Sequence, residues 1–512
     1  MSKNVPVLIA AMLLMSISLD AQNALIRFDK ENVVGEIDRN IYGVFMEPIG
    51  RANGTNIVYG PLYDPSSPLA NEDGFRTDVI DAMRELQIPN MRWPGGNYIS
   101  NYNWQDGIGP KEQRPVRVDP AWGGKDTNQV GTDEWVALNR AIGSENVVCL
   151  NLAFGDLDQT RFWLEYCNLP TGSYYADLRA KYGHPEPFGV KYWCLGNEMD
   201  GKPWLMGYKN ADDYSKAAHE VGKLLRALDS SVKFVASGSS WYENSPNGTT
   251  PRGAWIDWNH TVVKELYGIA DYLSIHRYWE YREGDYYQRM ADNVMDVEEK
   301  ILVTKSLIDI EKVNYPGKRP MYISFDEWGA NSINGMTRVM GDIQYLNSFV
   351  RHADIVKMAN YTMMTSLLNT DRKSGRTFKG PIFQIYKLFS NNVKGSTVAS
   401  YVNCETFDGA VYKNVPYLNV TVVYSPDGSE VLLNVINVNK DKAIAADIEA
   451  LTGGYGRKAE VRTVVLSPDK EISIADEKSY EPVISSETVK EGRLSHTFPA
   501  ASFTQISIPV ER

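Results

Sequence analysis

Two short stretches place carboxylates where an apolar run ends. "KYWCLGNEMDG", Lys191 to Gly201, closes a dense aromatic segment on Asn197 and Glu198. "MYISFDEWG", Met321 to Gly329, closes another on Asp326 and Glu327. Charged groups are seldom buried unpaired, so a glutamate at the end of a core strand needs solvent or a partner. Two carboxyl groups about 5 Å apart can divide a displacement at the anomeric carbon of a sugar. One attacks, while the other protonates the leaving oxygen and then activates water. Such a pair needs unequal pKa values, the acid raised and the nucleophile ionised. Asp326 rivals Glu327, which is preferred because it terminates the apolar run; Asp326 is expected to point elsewhere. Either dipeptide alone is commonplace in loops, so the case rests on its company.

That company is polar at other strand ends. One strand ends with Glu47, another in "RWPGGN" from Arg92 to Asn97, and a third in "HRY" from His276 to Tyr278. Arg92 could hold Glu327 charged and His276 could orient it. Asn197 is suited to grip a sugar hydroxyl beside the reacting centre. Glu47 could hold hydroxyls or act as a structural acceptor. Gly95 and Gly96 permit close backbone approach to a ligand, with Asn97 projecting an amide at it. Trp93, Trp104 and Trp328 could be core or a platform for a sugar ring, and Trp104 is expected to be a platform. Cys194, beside the candidate acid, reads as packing.

Positioning these residues requires a scaffold that gathers strand ends. Eight apolar strand candidates recur with helical stretches between them: Ile41–Met46, Asn90–Trp93, Val147–Leu152, Lys191–Leu195, Val232–Ala236, Tyr272–His276, Met321–Phe325 and Ile355–Ala359. Several are continuous apolar runs, as expected of parallel strands covered on both faces. Thr132 is a candidate cap for a helix running to Ile142, with Gly143 after it. Ala211 to Leu228 sets Tyr214, Ala218, Val221 and Leu225 on one face. The pattern predicts an α/β fold, a (β/α)₈ TIM barrel over 40–394, whose working residues belong at the C-terminal strand ends. Strands four and seven then face each other across the mouth. After about Gly395 short strands and turn signals replace helical periodicity, which predicts a jelly-roll-like β-sandwich over 395–512, completed by an N-terminal segment, 23–39.

The 512 residues are 43% hydrophobic and include 12 Trp and 30 Tyr, enough for a large core with aromatics to spare. The net charge of −11 argues against nucleic-acid binding, which needs a concentrated basic surface. Four cysteines (149, 167, 194, 404) do not make a disulfide scaffold, and they and the six histidines lack metal-ligand spacing, so neither metal nor cofactor is expected. Lys3 followed by the apolar stretch Val7 to Leu19 reads as an export signal over 1–22, too short for a stable membrane span. A periplasmic or secreted location is expected.

These motifs resemble the α-L-arabinofuranosidases of glycoside hydrolase family 51. The resemblance is carried by "YGVFMEP", "MRWPGGNYISNYNWQDGIGP", "GTDEW", "YWCLGNEMDGKPW", "YLSIHRY", "MYISFDEW" and "LNSFVRHADIVKMAN", with a weaker match at "FPAASFTQISI". It covers most of the barrel. It implies a retaining, metal-free mechanism with Glu198 as general acid/base and Glu327 as nucleophile. It also implies contacts from Glu47, Asn97, Asn197 and Tyr278 to a terminal arabinofuranose, supporting roles for Arg92 and His276, and a homo-oligomer, often a hexamer. The expected activity is exo-hydrolysis of arabinofuranosyl residues from arabinan or arabinoxylan. The rivals are a β-xylosidase or endo-β-glucanase on the same scaffold, or a non-catalytic glycan-binding protein. Three departures stand out. Met363 replaces a glutamine common after strand eight, Gly329-Ala330 follows "FDEW", and Ala153-Phe154-Gly155 follows strand three. A methionine cannot donate a strong hydrogen bond to a hydroxyl, so an altered sugar or linkage preference is expected.

Overall fold

The computed structural model describes residues 24–51, 55–201, 209–240, 253–280, 286–331, 335–371 and 373–511; the expected export signal lies outside them. Eight parallel strands close into a barrel in chain order: Gly43–Phe45, Asn90–Trp93, Glu145–Cys149, Tyr192–Leu195, Lys233–Ala236, Tyr272–Glu280, Tyr322–Asn331 and Val356–Thr362. A helix follows each strand and covers the barrel's outer face. The apolar runs match buried strands: every residue of Asn90–Trp93 and Tyr192–Leu195 is buried.

The helix ends follow local chemistry. Asn210 caps Ala211–Leu228 by accepting from the Asp213 N–H at 2.8 Å. Thr132 does not cap its helix as expected: Gly131 holds the cap position, and the Glu134 carboxylate accepts its N–H at 2.9 Å. The Thr132 hydroxyl accepts instead from the Trp163 indole at 3.0 Å, tying this helix to the next.

Strands six and seven run beyond the expected ends at His276 and Phe325, to Glu280 and Asn331. Their register holds an irregularity that matters below. Ser274 pairs with Ser324, yet His276 pairs with Glu327, so strand seven carries one extra residue. A bulge of this kind bends the strand and re-aims its side chains.

The second unit is a ten-stranded sheet folded on itself into a nearly closed sandwich. Ala24–Glu36 joins it, antiparallel to Ser396–Asn403 and parallel to Ile444–Ala450. The alternation of Ala24, Ile26 and Phe28 places three buried side chains in that core, among Val420, Val422, Leu433 and Ile506. The helix Met336–Arg351 joins the two units. Asn347 donates to the Asn419 and Asn434 carbonyls and accepts from Thr421, so a buried amide fixes the sandwich against the barrel.

The Phe28 ring meets Tyr424 and Tyr455 edge-on, with both centroids 6.4 Å away. Phe28→Ala should cost about 3–5 kcal/mol of stability, the usual price of an aromatic cavity. Urea unfolding should show the sandwich loosening first; an unchanged midpoint would mean the N-terminal strand adds little to this core.

Candidate active site

The candidate residues converge at the C-terminal ends of the barrel strands. Glu47, Glu198 and Glu327 are each 4% exposed, and Arg92, His276 and Asp326 are still more deeply buried. Carboxylate oxygens of Glu198 and Glu327 lie within 4.8 Å of each other, with a nitrogen of His276 inside the same span. That closeness accords with the short separation of a pair in which one carboxylate attacks directly, rather than the wider one of an inverting pair.

Arg92 organises the cluster from the end of strand two. Its Nη1 donates to Glu327 Oε1 at 2.7 Å, its Nη2 to Asn197 Oδ1 at 2.6 Å, and its Nε lies 3.3 Å from Asp326 Oδ2. The planar fork of a guanidinium suits this three-way task as an ammonium would not. The Tyr278 hydroxyl donates to the other oxygen of Glu327 at 2.7 Å, so both Glu327 oxygens are held.

Asp326 does not point elsewhere, as expected from alternation, but enters the same cluster. In a regular strand Asp326 and Glu327 would face opposite sides. The extra residue in strand seven breaks that alternation, and both side chains meet Arg92. Asp326 also accepts from Ser274 and lies 3.4 Å from His276 Nε2. Burial opposes its charge, yet Arg92 and His276 hold its pKa below the ordinary aspartate value.

His276 serves the other glutamate. Its Nδ1 bonds Glu198 Oε1 at 3.0 Å and stands 3.6 Å from Glu327, beyond hydrogen-bond reach. Burial works against an imidazolium here, but Glu327, Asp326 and Glu198 together hold the His276 pKa well above its usual range. Among the described residues, Glu198, His276 and Glu327 are the group close enough to ligate a metal together.

Glu198 sits at φ 43°, in the left-handed region that a glutamate seldom adopts, just after Gly196 at φ 88°. The turn throws its side chain across the mouth toward His276. Burial lifts its pKa to about 7, the Glu327 charge adds to this, and the His276 hydrogen bond opposes it. Glu198 therefore keeps its proton to near neutral pH, as an acid must.

Glu47 is pushed up to about 8, first by burial and then by Glu327. Its Oε1 accepts from the Tyr98 N–H at 2.8 Å and the Trp122 indole at 2.9 Å. Gly96, at φ 36°, lies so close that a Cβ would fall 2.1 Å from Glu47 Oε2. The second glycine of "RWPGGN" thus makes room for a neighbouring carboxyl. Asn97 Oδ1 and Asn197 Nδ2 are buried and have no hydrogen-bond partner among the described residues, which leaves one acceptor and one donor for hydroxyls.

The tryptophans correct an expectation. Trp93, Trp104 and Trp328 are all at most 2% exposed. Trp104 stacks on Trp163 with planes 4° apart and donates to the Gln159 carbonyl at 3.1 Å, so neither face is a free platform. Trp122, which the sequence reading passed over, is the indole tied into the site. Its signal was faint: it lies in a loop, after Asp119, whose carboxylate accepts the Trp122 N–H at 3.0 Å. Met363 is half-buried and packs against the barrel core, next to Thr362, whose hydroxyl donates to the Tyr278 oxygen at 3.2 Å.

A closed eight-stranded barrel with two buried glutamates facing across its mouth defines a glycoside hydrolase. Residues 82–283 match the alpha-L-arabinofuranosidase 1 domain and residues 326–502 the alpha-L-arabinofuranosidase C-terminal domain. The intracellular exo-alpha-(1->5)-L-arabinofuranosidase of Halalkalibacterium halodurans is 36% identical over 439 residues, 81% of this chain and 85% of that one. A Bacillus subtilis enzyme of the same description is 36% identical over 435 residues, 80% and 84% of the two chains. The thermostable GH51 alpha-L-arabinofuranosidase of Thermotoga petrophila superposes with a TM-score of 0.82 at 33% identity, covering 94% of this chain and 99% of that one. The chain belongs to the GH51 α-L-arabinofuranosidase family.

Arg92→Met leaves Asp326 and Glu327 buried without their cation, and breaking such a pair from one side costs about 3–5 kcal/mol. Chemical denaturation at pH 7 should show that loss, and Arg92→Met with Asp326→Asn together should recover part of it. Equal stability of the parent and the Arg92 variant would show that the cluster is not held by this cation.

Proposed function

We propose that this chain is a retaining, exo-acting α-L-arabinofuranosidase in which Glu327 is the nucleophile and Glu198 the general acid/base. The observation that carries the reading is the pair of carboxyl groups within 4.8 Å, one held by Arg92 and Tyr278, the other kept protonated to about pH 7. Glu327 attacks the anomeric carbon as Glu198 gives its proton to the leaving oxygen. A covalent glycosyl-enzyme forms, and esterification removes the charge of Glu327. That charge is one of the causes raising the Glu198 pKa, so with it gone Glu198, its proton already given to the leaving group, stays a carboxylate and takes a proton from the attacking water. Asn97, Asn197 and Glu47 hold ring hydroxyls, Glu47 in its protonated form able to donate as well as accept.

The substrate proposal is a terminal α-L-arabinofuranosyl residue of arabinan or arabinoxylan. It is supported by the family, by the relatives' descriptions as exo-α-(1→5) enzymes, and by the two buried asparagine atoms without partners. Met363 in place of an amide donor supports an altered sugar or linkage preference.

The test is release of nitrophenol from 4-nitrophenyl α-L-arabinofuranoside. Glu327→Ala should lower kcat by about a thousandfold or more. Glu198→Ala should retain more of the first step, since nitrophenolate leaves without protonation, and azide should restore its turnover. On an α-1,5-linked arabino-oligosaccharide, whose leaving alcohol needs the proton, the parent's kcat/KM should fall as pH rises through about 7, where Glu198 loses it. His276→Gln removes a bond that lowers this pKa, so the alkaline limb should move to higher pH. Cleavage of xylosides or glucan instead would establish a rival activity on the same scaffold, and binding of glycans with no cleavage would establish a non-catalytic role.

We also propose export and a homo-oligomer, a hexamer by family resemblance. The apolar stretch from Val7 to Leu19 behind Lys3 supports export, whereas the two relatives above carry the description intracellular. Expression of the full chain followed by fractionation should find a shortened protein outside the cytoplasm. A full-length protein confined to the cytoplasm would overturn the leader, and a monomer in light scattering would overturn the assembly.

A further inference from the structure

We propose that a cleft between the loops after strands two and three binds further sugar residues of a polymeric substrate, with Phe154 as its stacking platform. This rests on the exo reading of the site. An exo enzyme holds the terminal sugar in its pocket, so the rest of the chain can leave in only one direction. A surface built for sugars beside the mouth therefore serves the leaving-group side.

The cleft lies in the loops that leave the C-terminal ends of strands two and three, the same face of the barrel as the glutamates. Tyr98, whose N–H is bonded to Glu47, has its ring 5.1 Å from that of Tyr102. Tyr98 and Tyr102 line a cavity of about 180 Å³, and Asn101, Tyr102 and Asn103 line both this one and a second of about 400 Å³. The larger cavity is bounded by Asn101, Trp104, Phe154, Gln159 and Trp163. Its volume falls in the range of small-ligand sites.

Three observations distinguish it from an ordinary groove. Phe154 is 62% exposed, although it is a large aromatic on a loop held by the Asn151 carbonyl oxygen, which accepts the N–H groups of Ala153, Phe154 and Gly155 at 3.0–3.2 Å. Lys209 fixes the same loop by donating to the Ala153 carbonyl at 3.0 Å. A rigid loop that displays a phenyl ring to solvent presents one end of a binding surface. Second, the side-chain oxygen of Gln159, a residue of the cavity wall, has no hydrogen-bond partner among the described residues, although buried polar atoms are normally satisfied. Third, the floor is aromatic, the edge of the Trp104–Trp163 stack. An apolar ring face beside a few hydroxyl-binding atoms matches a sugar, which has an apolar face and a polar rim.

The experiment compares two substrates on the same protein. 4-Nitrophenyl α-L-arabinofuranoside occupies the pocket and one position beyond it; α-1,5-linked arabinopentaose reaches the cleft. Phe154→Ala should lower the ratio of kcat/KM on the pentaose to that on the nitrophenyl substrate by about fivefold to tenfold, mostly through KM, the effect of losing one aromatic contact. Phe154→Tyr should restore the ratio, and Gln159→Leu should lower it. A ratio unchanged by Phe154→Ala would overturn the cleft. A parent that fails on the nitrophenyl substrate would instead overturn the activity on which the cleft depends, so the two failures are distinct.

Discussion

The structure depends on one buried cation. Arg92 is 1% exposed and touches Asp326, Glu327 and Asn197 at once. Without it Asp326 and Glu327 would lose the cation bonded to both, and a buried charge without a partner is among the costliest features a protein can hold. Asp326 is kept below its ordinary value by Arg92 and His276, and Glu327 is bonded on both oxygens. Glu198 has His276 rather than Arg92 as its partner: burial lifts it to about 7, the Glu327 charge adds to this and the His276 bond opposes it. The two glutamates thus meet different partners across one mouth.

The backbone supplies the geometry that the charges use. Strand seven carries an extra residue against strand six, which turns Asp326 and Glu327 inward together. Glu198 is held at positive φ directly after the strand-four turn. Such strain persists only where the surroundings over-determine it, and here the surroundings are the His276 bond and a barrel closed on all sides. The sandwich adds the N-terminal strand and, through Asn347, a fixed seat for the helix after strand seven, so the strand bearing Glu327 is braced from outside.

Much of this was legible in the residues. The eight apolar runs became the eight barrel strands, because parallel strands buried on both faces have no alternation to hide behind. The N-terminal strand was assigned to the sandwich that the change of texture after Gly395 announced. Among site residues, those at strand ends were legible, since a strand end on a barrel has one destination. What remained hidden depended on deviations from regularity. Asp326 was assigned to the wrong face because alternation cannot foresee a bulge. His276 was paired with Glu327 rather than Glu198, because its partner lies 78 residues away in sequence and is chosen by a turn. Trp104 was taken for a platform because a tryptophan's exposure depends on what stacks against it, here Trp163, which no local pattern announces. Trp122 escaped for the opposite reason: a loop residue reaches the site only through a fold of the loop.

The central claim is that burial, aided by the charge of Glu327, keeps the Glu198 proton to near neutral pH. Carbon-13 NMR of carboxyl-labelled glutamate, with Glu198→Gln to assign the signal, tests it most directly. Glu198 should titrate near 7 in the parent. In Glu327→Gln it should titrate at lower pH, because the neighbouring negative charge that helps raise it is gone. A Glu198 signal that titrates like an ordinary exposed glutamate, and does not move in the Glu327 variant, would contradict the account.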